Sequence, residues 1–304
     1  MTYEEFREKI IADLEEYYGS DAEIKLRKVN KNNGFIYEGI NICFSDDTNI
    51  VPVIYLESIY KLYENGASID ECVGKIIQIR ENTQDCPICL ELNPVEIITE
   101  WKNAKKYIIP ILVSTIKNKD ILNGYAHQEF LDLSIIYAIR FKSELTGGTM
   151  SAKITKSLFE GYGVSLAELH ESAMDNLMKD EYKLLDMEQV LSQKIGVIED
   201  EEMEKCLSLA AHNMYVLTNQ NNMYGAAGIL NQDFLKSRSN GRSFYVIPSS
   251  VHEMIFVLAE PNVNVDYLNS IIKEVNEGQI DETEVLSDHA YYYDGKTGEF
   301  SIAG

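Results

Sequence analysis

Apolar residues in the first 80 positions follow two different periods. A period of three to four residues places five apolar side chains on one helical face: Tyr3, Phe6, Ile10, Leu14 and Tyr17. After Gly19, apolar and polar residues alternate over 22–28 and over 36–44, on either side of a loop rich in asparagine and glycine. The pattern predicts a helix that ends near Gly19, followed by a β-hairpin.

The helical period returns over 53–64 and 68–82, and the second segment opens with the serine and glutamate spacing of a capping box. A further helix is predicted over 93–101, because an asparagine N-cap is followed by proline at the first helical position. The chain therefore continues with three predicted helices.

Two strands are predicted in the middle of the chain. Residues 107–115 are mostly apolar, and this strand is predicted to be broken or bent at Pro110, since proline cannot donate to a sheet ladder. Residues 130–141 alternate, with apolar side chains on one face and Asp132 and Ser134 on the other. That alternation predicts one long strand.

The remaining chain mixes both kinds of element. Helices are predicted over 165–178, 186–195, from 199, over 229–238 and over 265–277. Strands are predicted over 214–218, 243–247 and 253–259, with a final hairpin over 291–300. There is no regular βαβ alternation, so the predicted fold is α+β, with mixed helices and a mostly antiparallel sheet.

A short Thr-Gly-Gly-Thr segment at 146–149 separates two strongly patterned halves. It predicts two subdomains, an N-terminal one over 1–146 and a C-terminal one over 149–304.

The net charge of the chain argues against some classes of binding partner. Its 304 residues include 27 lysines and arginines against 49 acidic residues, a formal net charge of −22. Such acidity repels a phosphate backbone or an anionic membrane surface, so neither direct nucleic-acid binding nor membrane binding is expected. The apolar runs are shorter than the roughly 18 residues that cross a bilayer. The first residues lack a secretory signal pattern, so we expect a cytoplasmic protein.

The five cysteines are scattered and odd in number, which fits a reducing compartment. Cys86 and Cys89 have the spacing of half a zinc site or of a redox pair. No second such pair exists in the sequence, and an ordinary loop with two thiols is the favoured interpretation. No metal and no cofactor is predicted.

A dense polar cluster lies between two predicted strands. Ser249, Ser250, His252 and Glu253 place a hydroxyl, an imidazole and an acid close together in sequence. The G-x-S-x-G elbow of hydrolases and the H-E-x-x-H motif of zinc peptidases are both absent, which favours a turn with hydroxyls that cap backbone amides. No catalytic residue is assigned. With Tyr224, these four residues are the candidates for a functional cluster.

The other histidines offer little on spacing alone. His170 shares a helical face with Leu166 and Ala173, and it is interpreted as a core histidine or as a catalytic group aimed into a cleft. No spacing links His127, His212 or His289 to a nucleophile.

Two further segments have a chemical and a structural interpretation. Residues 225–228, Gly-Ala-Ala-Gly, could cradle a phosphate, but they lack G-x-G-x-x-G and the Walker lysine, so close packing is favoured. The acids Asp281, Glu282 and Glu284 lack the spacing of a calcium loop and are interpreted as a solvated face.

Several motifs carry a resemblance to a known family. They are Tyr-Leu-Glu at 55–57 with residues 60–66, Phe-Leu-Asp-Leu-Ser at 130–134, and the segments 214–219, 224–227 and 244–253. Together they resemble the uncharacterised bacterial family catalogued as domain of unknown function 5688, over almost the whole chain. The resemblance implies a cytoplasmic bacterial protein, often met among accessory genes of mobile elements. It implies no established activity and no catalytic residue.

Three functions stay open. The leading hypothesis is a non-enzymatic binding or regulatory protein, because no catalytic motif assembles and 19 tyrosines could anchor a protein partner. The second is a serine hydrolase-like enzyme that uses Ser249 or Ser250 with a distant histidine such as His170. The third is an acidic nucleic-acid mimic that inhibits a DNA-binding protein, which requires carboxylates in regular rows on one face.

Overall fold

The computed structural model describes residues 1–44, 51–84, 94–142, 149–195 and 212–304. They form two compact units, one from residues 1–104 and 141–150 and the other from 105–140 and 151–304. Helices occur throughout, and the strands form antiparallel sheets, which confirms the predicted α+β class. The predicted boundary at 146–149 lies mostly outside the described residues, and the division into 1–146 and 149–304 stays a prediction.

The first unit begins with the predicted helix and hairpin. Helix α1 is Tyr3–Tyr18, with Thr2 and Glu5 in a capping box and Gly19 at its end. Strands β1, Ala22–Asn30, and β2, Ile36–Phe44, pair in antiparallel register over nine residues each. A short β3, Ile54–Tyr55, adds to the other side of β2. The sheet order is therefore β1-β2-β3, with β1 at one edge.

Helices close one face of this sheet. The segment predicted as a helix from residue 53 starts later, as α2, Leu56–Glu64, because Ile54 and Tyr55 extend the sheet instead. Helix α3, Ile69–Gln84, follows the predicted Ser68–Glu71 capping box, in which Glu71 N donates to Ser68 Oγ at 3.2 Å. Their buried residues form a single core with α1, β2 and β3: Phe6, Ile10, Leu14, Ile40, Ile42, Ile54, Leu56, Ile59, Cys72 and Ile76.

The helix predicted over 93–101 is wrong in one respect. The structure has two short helices, α4, Pro94–Thr99, and α5, Trp101–Ala104, separated at Glu100. The proposed N-cap Asn93, like Cys86 and Cys89, lies outside the described residues.

A four-stranded sheet begins the second unit. Its strands are β4, Ile108–Ser114; β5, His127–Phe130; β6, Leu133–Lys142; and β7, Thr149–Lys153. Strand β6 pairs with the other three.

The predicted break at Pro110 is wrong, because β4 pairs with β6 without interruption from Ile108 to Ser114. Arg140 N donates to Tyr107 O, so every second residue of β4, Pro110 included, points its amide position away from β6. The missing proton of Pro110 therefore removes no bond of the β4–β6 ladder.

The single long strand predicted over 130–141 is also wrong. The chain turns at Leu131 and Asp132, where Leu131 has φ of 56°, and β5 then pairs with β6 as a hairpin. Residues 133–139 are buried on both faces, so the apparent alternation did not separate a core face from a solvent face. The turn places Asp132 at the end of the hairpin instead of on a strand face.

A six-stranded antiparallel sheet forms the rest of the unit, in the order β13-β12-β10-β11-β9-β8. Its strands are β8, Tyr182–Asp186; β9, Met214–Asn219; β10, Phe244–Ser250; β11, Glu253–Leu258; β12, Tyr291–Tyr293; and β13, Phe300–Ile302. All but β8 correspond to predicted strands. The tight turn between β10 and β11 contains Val251 and His252.

The helices of this unit are α6, Lys119–Leu122; α7, Lys156–Tyr162; α8, Leu166–Lys179; α9, Met187–Ile195; α10, Gln232–Ser239; and α11, Val265–Gly278. Helix α10 is shorter than the predicted 229–238, because residues 225–230 form a 3-10 helix. The helix predicted from residue 199 lies outside the described residues. Within the described ranges, no helix is long and apolar enough to span a bilayer.

Candidate functional site

The structure brings Tyr224 to the β10–β11 turn, where the other four candidate residues lie. The backbone N–H of Tyr224 donates to His252 Nδ1 at 3.1 Å, and the two rings stack with centroids 5.8 Å apart. Tyr224 has φ of 57°, a left-handed conformation that is uncommon for a bulky residue. Its hydroxyl lies 3.3 Å from Ser151 Oγ.

Small residues allow this approach. A Cβ added to Gly225 would lie 2.4 Å from the carbonyl oxygen of His252 and 2.9 Å from Asn219 N. A Cβ on Gly228 would lie 2.6 Å from the ring of Tyr182. The 3-10 helix can therefore lie against the sheet only with glycine at these two positions, which supports close packing over a phosphate cradle.

The hydrogen bonds of His252 determine its protonation. A backbone N–H can only donate, so Nδ1 accepts and carries no proton. Nε2 lies 3.2 Å from Glu284 Oε1, which is an acceptor, so Nε2 carries a proton and donates a hydrogen bond to that carboxylate. His252 is therefore a neutral imidazole with the proton on Nε2, and both of its nitrogens are occupied.

The two serines of the cluster bond elsewhere. Ser249 Oγ donates to Glu253 Oε1 at 3.1 Å, and Ser250 Oγ accepts from the backbone N of His252 at 3.0 Å. His170, the distant partner considered for them, has Nδ1 2.9 Å from the hydroxyl of buried Tyr137, and burial lowers the pKa of His170. These contacts do not pair a serine hydroxyl with an imidazole, which is what a hydrolase needs.

A second histidine site joins two distant segments of the same unit. Asp132, in the β5–β6 turn, accepts from His289 Nε2 at 3.1 Å through one oxygen and from Tyr291 Oη at 2.7 Å through the other. His289 Nδ1 lies 3.1 Å from the carbonyl oxygen of Ala290. Tyr291 is fully buried, whereas the carboxylate and the imidazole are about a third exposed.

This arrangement requires a charged histidine. Both neighbours of the His289 ring, a carboxylate and a carbonyl, are acceptors, so both ring nitrogens must carry protons. The hydrogen bond to Asp132 accordingly raises the pKa of His289. Burial acts to raise the pKa of Asp132, but the bonds from His289 and Tyr291 outweigh it and lower that pKa overall. Burial raises the pKa of Tyr291 well above its usual value, so its hydroxyl stays a donor.

Neighbouring backbone fixes His289 in place. Asn269 on helix α11 accepts from the N–H of Ala290 at 2.9 Å. Asn276, two turns further along the same helix, donates to Asp288 Oδ1 and to Ser287 O. The loop that carries His289 is therefore tied to α11 on both sides of the imidazole.

Sequence reasoning missed this site. Asp132 and His289 are 157 positions apart, and Asp132 was assigned to the polar face of one long strand. The glycine-free Phe-Leu-Asp-Leu segment gives no turn signal, since the positive φ falls on Leu131. No local spacing could have paired these residues.

Two exposed apolar residues are sequence neighbours of Asp132 and of the residue that bonds its carbonyl oxygen. The backbone N of Thr115 donates to Asp132 O at 3.2 Å, and the residues next to these two are Ile116, 81% exposed, and Leu131, 41% exposed. Lys117 Nζ lies 3.6 Å from Asp288. We call Ile116, Lys117, Leu131, Asp132 and His289 the Asp132 surface.

Metal-binding chemistry finds no support in the described part of the chain. No three histidine, cysteine or acidic side chains there gather as metal ligands. His127 Nδ1 lies 3.1 Å from Tyr125 O, and His212 is exposed two residues before β9.

Comparison with known proteins identifies a family. No curated protein and no solved structure matches the chain. A family model described as "Family of unknown function (DUF5688)" matches residues 3–295. The match spans both units, and it agrees with the resemblance carried by the motifs at 224–227 and 244–253. The chain belongs to this family of unknown function.

Proposed function

We propose that the protein is a non-enzymatic binding protein that recognises a protein partner through the Asp132 surface. The observation that carries the proposal is the occupancy of the two best-placed imidazoles. His252 and His289 each use both ring nitrogens in internal hydrogen bonds. A general base needs a free nitrogen within reach of the proton that it removes.

The Asp132 surface has the chemistry of a protein contact. Ile116 is mostly exposed to solvent, so its apolar surface becomes buried only when another molecule binds. Each Å² buried in this way stabilises the complex by about 25 cal/mol. Beside it, the imidazolium of His289 and the carboxylate of Asp132 offer polar contacts at the rim. An apolar centre with a polar rim is the usual anatomy of protein interfaces.

The proposed setting is the cytoplasm of a bacterium, where the protein would act by occupying or regulating its partner. The −22 net charge fits a soluble adaptor and opposes direct contact with phosphate backbones. It also motivates the mimic hypothesis, which needs uninterrupted rows of carboxylates. On helix α1, however, Lys9 lies among the acids and pairs with Asp13 at 2.6 Å, so that helix does not present such a row.

The test is proximity crosslinking of the full chain in a bacterial host, comparing the wild type with an Ile116→Ser, Leu131→Ser double variant. Met178→Ser is the matched control, since Met178 is 56% exposed on helix α8 and lies outside the Asp132 surface. We expect specific crosslinked proteins to disappear from the double variant and to persist in the control. Equal crosslinking in all three would contradict the proposal.

Activity assays address the enzymatic alternative. The purified protein is screened on ester, amide and thioester substrates beside the two single variants Ser249→Ala and Ser250→Ala and the variant that combines them. We expect no turnover above the background of the double alanine variant. A hydrolysis that requires either serine would establish the hydrolase hypothesis instead.

A further inference from the structure

Strand β1 of the first unit carries charge opposite to that of the chain. Residues 24–37 contain Lys25, Arg27, Lys28 and Lys31 and no acidic residue, in a chain of net charge −22. Lys25 and Lys31 have local partners, since Lys25 bonds Glu23 at 2.7 Å and the Lys31 ammonium lies 3.5 Å from the centroid of the Tyr55 ring. Arg27 Nε donates to Asn41 Oδ1 at 3.3 Å, a neutral partner that leaves its charge uncompensated. Leu26, Arg27 and Lys28 are exposed in sequence along the strand.

This strand also has an open edge within the described residues. It pairs with β2 along all nine residues, and the sheet order places no described strand on its other side. Lys31 N donates to Phe35 O, which identifies 31 and 35 as a hydrogen-bonded pair. Bonded pairs alternate in an antiparallel ladder, so Ile24, Leu26 and Lys28 point their N–H and C=O groups away from β2.

We propose that the outer edge of β1 binds an extended acidic segment of a partner protein as an added strand. The backbone groups of Ile24, Leu26 and Lys28 supply the ladder, which is how exposed edges recognise peptides. Arg27 and Lys28 select carboxylates in the added strand, and the 41% exposed Leu26 supplies an apolar contact. The inference concerns the first unit and does not depend on the Asp132 surface.

A plain protective role for these charges is the competing explanation, because lysines on edge strands prevent self-association. Charges of either sign would protect the edge from self-association. This strand, however, carries a group of positive charges in a molecule whose net charge is strongly negative. A nucleic-acid strand fits the edge less well than a peptide. Its phosphate oxygens can accept from the N–H groups of the edge but cannot donate to the C=O groups, as a peptide does. The Tyr55 ring that could stack a base is also covered by Lys31.

The experiment measures binding of labelled peptides to the full chain by fluorescence anisotropy. The probe is a ten-residue peptide of alternating glutamate and valine. The comparison probes are alternating lysine and valine, alternating glutamate and proline, and a 20-nucleotide oligo-dT. Proline removes every second backbone N–H of the peptide and fixes φ at about −65° at that residue, while the peptide keeps its charge. This probe therefore separates strand addition from charge attraction.

Three variants accompany the wild type. Arg27→Glu with Lys28→Glu reverses the edge charge. Lys75→Glu with Lys273→Glu makes the same change in net charge at two exposed helical positions outside the strand. Leu26→Pro removes an outward amide without removing a β1–β2 bond.

We expect the glutamate–valine peptide to bind the wild type and the helical control alike, and to bind the Arg27 and Lys28 double variant about tenfold more weakly. Leu26→Pro is expected to weaken binding as well, with an unchanged circular dichroism spectrum. Equal binding of the glutamate–proline peptide, tighter binding of oligo-dT, or no binding of the glutamate–valine peptide would each overturn the proposal.

Discussion

The two histidine sites of the second unit hold their imidazole rings in different charge states, one neutral and one positively charged. His252 accepts a hydrogen bond from a backbone amide and donates one to a glutamate, so it is neutral. His289 donates hydrogen bonds to an aspartate and to a backbone carbonyl, so it is charged. Both pair with a partly exposed carboxylate at nearly the same distance. The backbone group that faces Nδ1, and not the carboxylate that faces Nε2, therefore determines whether the ring is charged.

The largest effect is expected where the backbone contact itself is disrupted. In Gly225→Ala, the new Cβ would lie 2.4 Å from His252 O, which forces the 3-10 helix and the turn apart. We expect the free energy of unfolding to fall by about 3 kcal/mol, as for other overpacked sites. Urea denaturation followed by tyrosine fluorescence measures the change.

Gly161→Ala is the matched control for this change. Gly161 is inside helix α7 with open space around its Cα, so alanine is expected to be neutral or to stabilise by about 0.5 kcal/mol. If Gly225→Ala proves as mild as the control, the close approach that places Tyr224 against His252 is not needed for stability.

The next largest effect is expected at Asp132, the carboxylate that faces His289. Asp132→Asn replaces the anion that faces an imidazolium, while keeping an acceptor of the same shape. We expect a loss of about 1–2 kcal/mol in the free energy of unfolding at pH 6, within the range for bonds between charged groups after allowance for partial exposure. An unchanged stability would mean that His289 is neutral in the folded protein.

The pH dependence of stability tests the charge directly. The folded-state pKa of His289 is raised above the unfolded value of about 6.5 by Asp132, so the folded protein binds the proton more tightly. The stabilisation is complete below about pH 6.5 and is lost as the pH rises through the folded-state pKa. Burial lowers the pKa of His170, which gives a contribution of the opposite sign.

The measurement is an NMR titration of the imidazole resonances, with His289→Gln to assign the signal and urea denaturation at several pH values beside it. We expect the His289 signal to titrate above pH 6.5 and the loss of stability toward high pH to be smaller in His289→Gln. A His289 signal that titrates below pH 6.5 would contradict the charged assignment.

The smallest effect is expected at the other carboxylate. In Glu284→Gln, the amide oxygen can still accept from Nε2 of a neutral His252, so we expect the free energy of unfolding to change by less than about 0.5 kcal/mol. The free energy of unfolding of Glu284→Gln is measured beside that of Asp132→Asn. A cost equal to that of Asp132→Asn would show that His252 is also charged.

Local patterns predicted much of the fold correctly. The first helix, the β1–β2 hairpin and the Ser68 and Ser165 helix starts agree with the structure, because capping and periodicity act over a few residues. The alternation over 130–141 misled, because β6 is buried on both faces and the turn at Leu131 lacks a glycine or proline. When both faces of a strand are buried, the alternation of residues in the sequence does not indicate which face points toward the core.

Of the candidate cluster, the sequence indicated the segment but not the bonds. Ser249, Ser250, His252 and Glu253 do lie in one turn, yet the partners of His252 are Tyr224 and Glu284, which lie 28 and 32 positions away. The second site, between Asp132 and His289, had no local signal at all.

By itself, the sequence determined the α+β class, the acidity of the chain and the family to which it belongs, since these depend on composition, short-range periodicity and motifs. Only the tertiary structure decided which groups face each imidazole and therefore which histidine is charged. The physical reason is that a ring nitrogen takes its protonation from the donor or acceptor a few ångströms away, and that neighbour comes from a distant part of the chain.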